Sequence, residues 1–307
     1  MAGNPSDGHG GAVVAVPLPC WIATASVRHS DVFEVVGAEP GDDLWELAAA
    51  SCRSLGSVAG APLDATAVGL QITTSIPRSV GLAGSSAIVL AVVDAVTRRC
   101  PGEPWADRLR DPNARAVVAH QAEVTELGIA AGMQDRLVQA HAQPLLMDFS
   151  PAVSTDVLGH PCGRIRRLGL PTGRWVVAVR SSAAESSGVV HAGLANRAAS
   201  TDSIINALAD AARSAATAID ADDLNALGAA MDRTFELRSE LLDLDPRHVA
   251  MVDAVRRVGG HANYTGSGGA VIALCPDAES ERAAIDALEA LDGCTVHPSP
   301  FDPSDER

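Results

Sequence analysis

Two adjacent serines at the end of a glycine-containing stretch give the strongest chemical signal in the sequence. The stretch is Ile76-Pro-Arg-Ser-Val-Gly-Leu-Ala-Gly-Ser-Ser-Ala87, and an apolar run follows it to Arg99. Glycines let backbone N–H groups approach an anion closely, and a helix N-terminus carries about half a positive charge. The stretch therefore predicts a phosphate-binding loop whose serines could also bind Mg²⁺. The alternative is a tight strand-to-helix turn capped by Ser85 or Ser86.

This loop matches neither of the two most common nucleotide-binding motifs. G-x-x-x-x-G-K-[ST] requires a lysine, whereas all 23 basic residues of this chain are arginines. G-x-G-x-x-G is not matched either. The sequence therefore disfavours both a P-loop fold and a Rossmann fold.

Carboxylates provide the second signal, in the segment Glu123-Val-Thr-Glu-Leu-Gly-Ile-Ala-Ala-Gly-Met-Gln-Asp-Arg136. Phosphoryl transfer needs one carboxylate on the metal and another near the accepting hydroxyl, and Glu123 and Asp135 could supply them. The alternative is that Asp135 is a helix-start acid paired with Arg136. His120 and Glu123 lie three residues apart, but a zinc site needs about three protein ligands, which favours a structural His120.

A second glycine loop, Tyr264-Thr-Gly-Ser-Gly-Gly-Ala270, precedes an apolar strand. Its glycines predict close backbone approach to another loop or to a phosphate, and a simple hairpin turn is the alternative. His9 and His191 lie in polar, glycine-rich surroundings, where an exposed loop histidine is the more frequent case. A serine hydrolase is disfavoured because no G-x-S-x-G occurs.

The amino-acid composition limits which partners the protein is expected to bind and in which cellular compartment it is expected to lie. The formal charge of −15 repels nucleic acid and anionic lipid. The longest apolar stretches, Ala12–Leu18 and Ala87–Val93, are shorter than the roughly 18 residues of a membrane span. Six cysteines without a C-x-x-C pair favour a reducing compartment, so we expect a cytoplasmic protein.

Alternating strand and helix patterns predict two α/β domains, residues 1–170 and 171–307, joined at the Pro-Thr-Gly of 171–173. Strands are predicted at Ala12–Val16, Trp21–Val27, Val32–Val36, Val68–Thr74, Leu145–Phe149, Arg164–Leu170, Trp175–Arg180 and Ala270–Cys275. Helices are predicted at Asp43–Ser54, Ala87–Arg99, Asp111–Leu127, Gln134–His141, Asn196–Ile219, Ala221–Leu242, Pro246–Val258 and Glu279–Leu291. The loop at Met1–Gly11 is expected either to be held by a ligand or to follow a further strand.

Taken together, these segments resemble the GHMP kinases, the superfamily of galactokinase, homoserine kinase and mevalonate kinase. Pro77–Ala87 is similar to the family's second motif with one extra residue, Ala83, and Thr265–Gly269 is similar to its third. Gly3–Gly11 is similar to its first motif region. The resemblance implies an α+β fold with an N-terminal domain like domain 2 of ribosomal protein S5 and a ferredoxin-like C-terminal domain.

The resemblance also implies roles for individual residues, with ATP and Mg²⁺ as cofactors. Ser86 and Glu123 would bind Mg²⁺, and Asp135 with Ser86 would be catalytic. The nucleotide would contact Val80, Gly81, Leu82, Ala83, Gly84, Ser85, Ser86, Ala87, Gly266, Ser267 and Gly268. The acceptor substrate would contact Asn4, Ser6, Asp7, His9 and Asp135.

Within the family, the chain is most similar to glucuronokinase-type sugar kinases through Asn4–Gly8, Leu127–Arg136 and Ser187–His191. It departs from that pattern at Val189, where a lysine is common. We expect transfer of the ATP γ-phosphoryl group to a sugar hydroxyl, the anomeric one. Heptose- or octose-phosphate kinases, mevalonate-type kinases and a catalytically weak ligand-binding protein of the same fold are the alternatives, and a homodimer is left open.

Overall fold

The computed structural model describes residues 1–60, 68–180 and 200–302 of the chain. Strands β1 to β12 are Ala12–Ala15, Ala23–His29, Glu34–Val35, Val68–Thr74, Leu145–Asp148, Thr155–Val157, His160–Cys162, Arg164–Arg167, Arg174–Arg180, His261–Tyr264, Ala270–Cys275 and Cys294–Pro298. Helices α1 to α9 are Asp43–Ala59, Gly84–Arg99, Pro104–Arg108, Pro112–Gln121, Gln134–His141, Ser200–Asp220, Leu224–Leu241, Pro246–Arg257 and Ala278–Glu289. None of these helices is both long and apolar enough to cross a membrane.

The N-terminal half contains two three-stranded sheets and a short hairpin, β6 with β7. One sheet has the order β1-β5-β8 and the other β2-β4-β3. Helices α1, α2 and α4 pack together over the second sheet around residues such as Leu55, Leu70 and Val93. This packing fixes α2, whose N-terminus carries the predicted phosphate loop.

The C-terminal half is a four-stranded antiparallel sheet with helices on both faces. Its strand order is β10-β11-β9-β12, the order of a ferredoxin-like βαββαβ fold, as the sequence predicts. Alternate residues of β9 point to opposite faces: Trp175 and Val177 lie in one core and Val176 and Ala178 in another. Burial on both faces explains why β9 is an unbroken apolar run.

The two halves share a core. A single buried cluster contains Ala12 and Val14 of β1, Val80 of the phosphate loop and Ala212 of α6. The helices of the C-terminal half therefore support the N-terminal loop and the phosphate loop directly. The proposed division at residue 171 stays a prediction.

Local signals explain most helix starts. Asp111 and Asp245 precede Pro112 and Pro246, and each carboxylate accepts a backbone N–H two residues on, from Asn113 at 2.9 Å and Arg247 at 2.8 Å. Proline suits the first helical position because its missing N–H would have no helical acceptor.

The sequence prediction missed several elements. The strands β10 and β12 carry polar or proline residues along short sheet edges, so their periodicity is weak. The helix expected at Asp111–Leu127 ends at Gln121, and Ala122–Glu126 continue it as a π-helical turn. This turn carries the buried Glu123, so the difference bears on the site.

Candidate functional site

Helix α2 begins at the predicted phosphate-binding loop. Ala83, just before the helix, has the left-handed angles φ 54° and ψ 39°. The Ala83 carbonyl accepts the first helical hydrogen bond, from Ala87 N at 3.1 Å, and a second from Gln139 Nε2 at 3.0 Å. The N–H groups of Gly84, Ser85 and Ser86 precede that first bond and have no helical acceptor. Such a helix end is suited to bind phosphate.

Ser85, rather than Ser86, contacts the buried carboxylate. The Ser85 hydroxyl donates to Glu123 Oε1 at 2.7 Å, and Ser85 is exposed to solvent. Ser86 is only 1% exposed. The hydroxyl beside Glu123 is therefore that of Ser85, one residue before Ser86, and the assignment of Ser86 to the metal stays a prediction.

Glu123 is an acid with no exposure to solvent, and two groups hold its carboxylate. Ser85 contacts Oε1, and Arg136 donates to Oε2 through Nε at 2.7 Å, with its Nη2 lying 2.5 Å from the same oxygen. Arg136 Nη1 also donates to the Gly132 carbonyl at 2.8 Å. Because a buried carboxylate is costly without a counter-charge, the Arg136 guanidinium stabilises Glu123 in its buried position.

The π-helical turn positions Glu123. π-turns are rare and occur often at functional sites, because one extra residue in the turn changes which side chains share a face. Ile129 N donates to the Glu123 carbonyl at 2.9 Å, so the chain leaves this turn directly into the segment that leads to Asp135. The segment from Glu123 to Asp135 thus carries both predicted carboxylates.

Asp135 lies at the start of α5, beside Arg136. Its Oδ2 is 3.8 Å from Arg136 Nη1, and a third of its side-chain surface is accessible. Burial raises the pKa of Asp135 to about 6; Arg136 opposes this rise, and the negative charges of Asp7 and Glu123 add to it. A carboxylate with this pKa is mostly ionised at neutral pH and more basic than an ordinary aspartate.

The loop around residues 3–11 lies beside Asp135. Asp7 packs against Gly132, where a Cβ atom would collide with the Asp7 carboxylate. Ser6 is fully buried, and its hydroxyl donates to the Ala12 carbonyl at 2.8 Å, which is a structural use. His9 is exposed. Of the residues predicted to face the acceptor, Asp7 thus lies beside Asp135, whereas the hydroxyl of Ser6 is already engaged.

The two glycine loops interlock. A Cβ atom on Gly81 would lie 2.8 Å from the Gly268 carbonyl oxygen, and one on Gly266 would lie 2.5 Å from the Gly81 carbonyl oxygen. Gly81 and Gly266 both have positive φ, 71° and 43°. Close approach to another loop is one of the two alternatives predicted for the second glycine loop. The loop of residues 265–269 therefore packs directly against the predicted phosphate loop at Gly81.

Arg238 of α7 is a residue of this region that the sequence analysis missed. It is fully buried, and Nη1 donates to Asn4 Oδ1 at 2.7 Å while Nη2 donates to the Gly266 carbonyl at 2.9 Å. Its guanidinium also lies 5.5 Å from the centre of the Tyr264 ring. The available signal was its position on the apolar face of α7, four residues after Thr234 and seven after Met231.

Other candidate metal ligands do not assemble a site. A ring nitrogen of His120 lies 3.1 Å from the Ala131 carbonyl oxygen, which agrees with a structural role. Across residues 1–60, 68–180 and 200–302, no group of three or more His, Cys, Asp and Glu side chains is placed to hold a metal by itself. The segment Ser187–His191, with Val189, lies outside the described residues.

Comparisons with known proteins show which family and which fold the chain resembles. Residues 43–143 match the family model described as GHMP kinases N terminal domain, and residues 215–292 match GHMP kinases C terminal. The phosphomevalonate kinase of Streptococcus pneumoniae, in complex with phosphomevalonate and AMPPNP, has a TM-score of 0.76 at 16% identity. That likeness covers 97% of this chain and 96% of the other and concerns the fold alone.

Two curated plant proteins are similar in sequence. Probable glucuronokinase 2 of Arabidopsis thaliana is 32% identical over 245 residues, which are 75% of this chain and 63% of the relative. Glucuronokinase 1 of the same plant is 32% identical over 244 residues, 76% of this chain and 65% of the relative. The chain thus spans less than two thirds of the length of these relatives. With both family models matched in chain order over more than half of its residues, the chain belongs to the GHMP kinases.

Proposed function

We propose that this protein transfers the γ-phosphoryl group of ATP to a hydroxyl of a sugar, the anomeric hydroxyl of a uronic acid being the first choice. One observation carries the proposal. The free N-terminus of α2, the Ser85–Glu123–Arg136 contacts and the accessible carboxylate of Asp135 form one continuous group beside the loop of residues 3–11. This is the set of groups that phosphoryl transfer needs: an anion cradle, oxygen ligands for a cation and a carboxylate for the acceptor.

The triphosphate would lie against the first turn of α2. The N–H groups of Gly84, Ser85 and Ser86 would donate to phosphate oxygens, and the helix dipole would favour their charge. No lysine is needed, because backbone donors and a cation neutralise the phosphates. The loop of residues 265–269 would keep Gly81 in the position that this cradle requires.

Magnesium fits the oxygen atoms present. Ser85 Oγ and Glu123 Oε1 are 2.7 Å apart at the edge of the cradle, and Mg²⁺ in kinases is usually held by one or two protein oxygens together with phosphates and water. Bound there, the ion would neutralise charge that develops on the β- and γ-phosphates. In this proposal Ser85 takes the place that the sequence prediction gave to Ser86.

Asp135 would orient the acceptor hydroxyl and accept its proton. The hydroxyl oxygen forms a bond to the γ-phosphorus, the bond from that phosphorus to the β–γ bridging oxygen breaks, and ADP leaves. In a loose transition state the proton moves late, so alignment contributes more than basicity. Asn4, Asp7 and the exposed His9 are the proposed neighbours of the sugar.

The uronic acid comes from the similar proteins. Both curated relatives are named glucuronokinases, and the motif positions at Asn4–Gly8 and Leu127–Arg136 carry the same resemblance. A reducing cytoplasmic location is supported by the six cysteines of the sequence, which include no C-x-x-C pair.

An acceptor panel tests the proposal. The full chain is incubated with MgATP and glucuronic acid, galacturonic acid, glucose, galactose, a heptose phosphate or mevalonate, and ADP release is measured. ADP release with a uronic acid and phosphate on C1 by NMR supports the proposal, and release with mevalonate alone would move the protein to another branch of the family. If none of these acceptors leads to ADP release, the result would contradict a sugar kinase and favour a ligand-binding protein.

The pH dependence of turnover follows from Asp135. A protonated carboxyl cannot accept the hydroxyl proton, so we expect kcat/KM to fall about tenfold per pH unit below an apparent pKa near 6. The measurement is a pH profile of initial rates from pH 5 to 8 with a substrate that does not titrate in this range, such as a neutral sugar from the panel. A flat profile across pH 5 to 7 would remove Asp135 from the rate-limiting step.

Gly81→Ala tests the interlocked loops. A positive φ costs alanine about 1–2 kcal/mol, and its Cβ would also clash with the backbone of the loop of residues 265–269. We expect lower stability in denaturant unfolding and a raised KM for ATP. Gly102→Ala is the matched control, because Gly102 also has a positive φ, 86°, but a Cβ there meets nothing within 4 Å. Equal behaviour of the two variants would contradict the role given to Gly81.

A further inference from the structure

Arg238 is a buried cation in a region where the burial of charge is costly. Its side chain is fully buried, and desolvation lowers its pKa only to about 10, so the guanidinium stays protonated at neutral pH. Its two terminal nitrogens bond to the uncharged oxygens of Asn4 and Gly266, and the Tyr264 ring lies alongside. Burying an ion at such acceptors is expensive compared with an apolar side chain of similar size. Packing alone therefore does not account for an arginine at this position.

The two acceptors belong to two different loops. Asn4 lies in the loop of residues 3–11, next to Asp7, whereas Gly266 lies in the loop of residues 265–269, against Gly81. A guanidinium has a rigid, planar fork of donors, so two bonds from its ends fix the positions of both acceptors relative to each other. The base of the fork is anchored in α7, which packs against α6 and β10.

We propose that Arg238 is a positioning residue that holds the loop of residues 3–11 and the loop of residues 265–269 in one fixed relation. The catalytic consequence rests on the proposed function: the first loop is the proposed sugar contact, and the second supports the phosphate loop. With both loops tied to one side chain, the acceptor hydroxyl and the γ-phosphate are held in line before either substrate binds. Misplacement of about 1 Å in such an alignment can cost about 100-fold in rate.

A neighbouring residue offers a matched control. Thr234, one helical turn before Arg238, accepts a hydrogen bond from Gly3 N at 3.2 Å and donates to the Ala230 carbonyl at 2.8 Å. Thr234 is as buried as Arg238 and holds the same loop of residues 3–11. It has no bond to the loop of residues 265–269. Thr234→Val therefore loosens only the loop of residues 3–11. Arg238→Lys loosens the connection between both loops, because a single ammonium group cannot reproduce the planar fork.

Hydrogen exchange of the ligand-free full chain tests the link without any assumption about activity. Backbone amides are compared in wild type, Arg238→Lys and Thr234→Val. A hydrogen bond to a charged donor is worth about 1.5–3 kcal/mol, so we expect about tenfold or faster exchange in both loops of Arg238→Lys. Thr234→Val should accelerate only the loop of residues 3–11. Unchanged exchange in either loop of Arg238→Lys would overturn the proposal. If Arg238→Lys fails to fold, Asn4→Ala removes one acceptor only, and faster exchange should then still reach residues 265–269.

Kinetics test the consequence for the reaction. In Arg238→Lys we expect a kcat lower by about 100-fold and a higher KM for both ATP and the sugar. In Thr234→Val we expect a higher KM for the sugar alone. If wild type turns over sugars and Arg238→Lys keeps both KM values and kcat within twofold, the positioning role is wrong while the proposed function stands. If wild type phosphorylates no acceptor, the function is wrong and the exchange experiment alone decides the role of Arg238.

Discussion

Replacing Asp135 with asparagine is expected to lower kcat by about 10²–10⁴-fold while the KM for ATP stays near its wild-type value. The amide keeps the size of the side chain but can neither accept the hydroxyl proton nor carry the negative charge that orients it. The nucleotide contacts proposed for α2 do not involve Asp135, so ATP binding should survive. Steady-state rates and ATP-analogue titration of the variant measure both quantities. Near-normal turnover would remove Asp135 from the mechanism.

The same substitution should raise stability at neutral pH, which separates a functional role from a structural one. Folding raises the pKa of Asp135 from 3.8 to about 6, so the folded state binds the proton more tightly than the unfolded state. The carboxylate therefore destabilises the fold as pH rises from about 4 to 6, and the full penalty applies above pH 6. We expect Asp135→Asn to have a higher Tm than wild type at pH 7 and a similar Tm near pH 4. A lower Tm at pH 7 would contradict this view.

Removing the guanidinium of Arg136 is expected to cost about 3–5 kcal/mol of stability in an Arg136→Met variant, because Glu123 would then be a buried carboxylate without its cation. The Ser85 hydroxyl alone cannot compensate a full charge. Unfolding in urea or guanidinium chloride measures the loss. The double variant Glu123→Gln/Arg136→Met should regain a large part of it, since an amide is far less costly to bury than a carboxylate.

A second ion pair in the same turn is the control. Arg53 Nε lies 2.7 Å from Glu126 Oε2, but both side chains keep a quarter or more of their surface in solvent. Partly exposed pairs contribute about 0–1 kcal/mol, so Arg53→Met should have a small effect. Comparable losses in Arg53→Met and Arg136→Met would show that the burial of Glu123 does not set the energetics of this turn.

The Ser85–Glu123–Arg136 contacts also hold the oxygen atoms of the proposed cation site in place. Arg136 supplies the positive charge next to Glu123 Oε2, and the Ser85 hydroxyl covers Oε1. A cation bound beside Oε1 would replace the single hydrogen bond from the Ser85 hydroxyl and leave the Arg136 pair intact. The oxygens of the proposed cation site are thus preorganised, which would reduce the cost of assembling the site on binding.

The sequence by itself determined the parts of the site that depend on local chemistry. Glycines with positive φ, such as Gly81, and serines at a helix start are properties of short segments, so the glycine loop before α2 and the helix that follows it were predictable. The apolar runs that form β9 and β11, and the helices that begin at Asp-Pro, were predictable from equally short segments. Family resemblance in three ordered motifs then gave the fold class, which the strand order β10-β11-β9-β12 confirms.

Tertiary structure alone decided which of these groups meet. Ser85 and Ser86 are neighbours in sequence, but side chains one residue apart on a helix point about 100° apart, so only the packing of α2 on α4 selects the one that faces Glu123. The π-helical turn that presents Glu123 has no local signature in the sequence. Arg238 lies more than 200 residues from Asn4, and a contact over such a separation forms only when α7 packs against the N-terminal loop. Local preferences specify each element, whereas the pairing of distant side chains follows from the way the whole core packs.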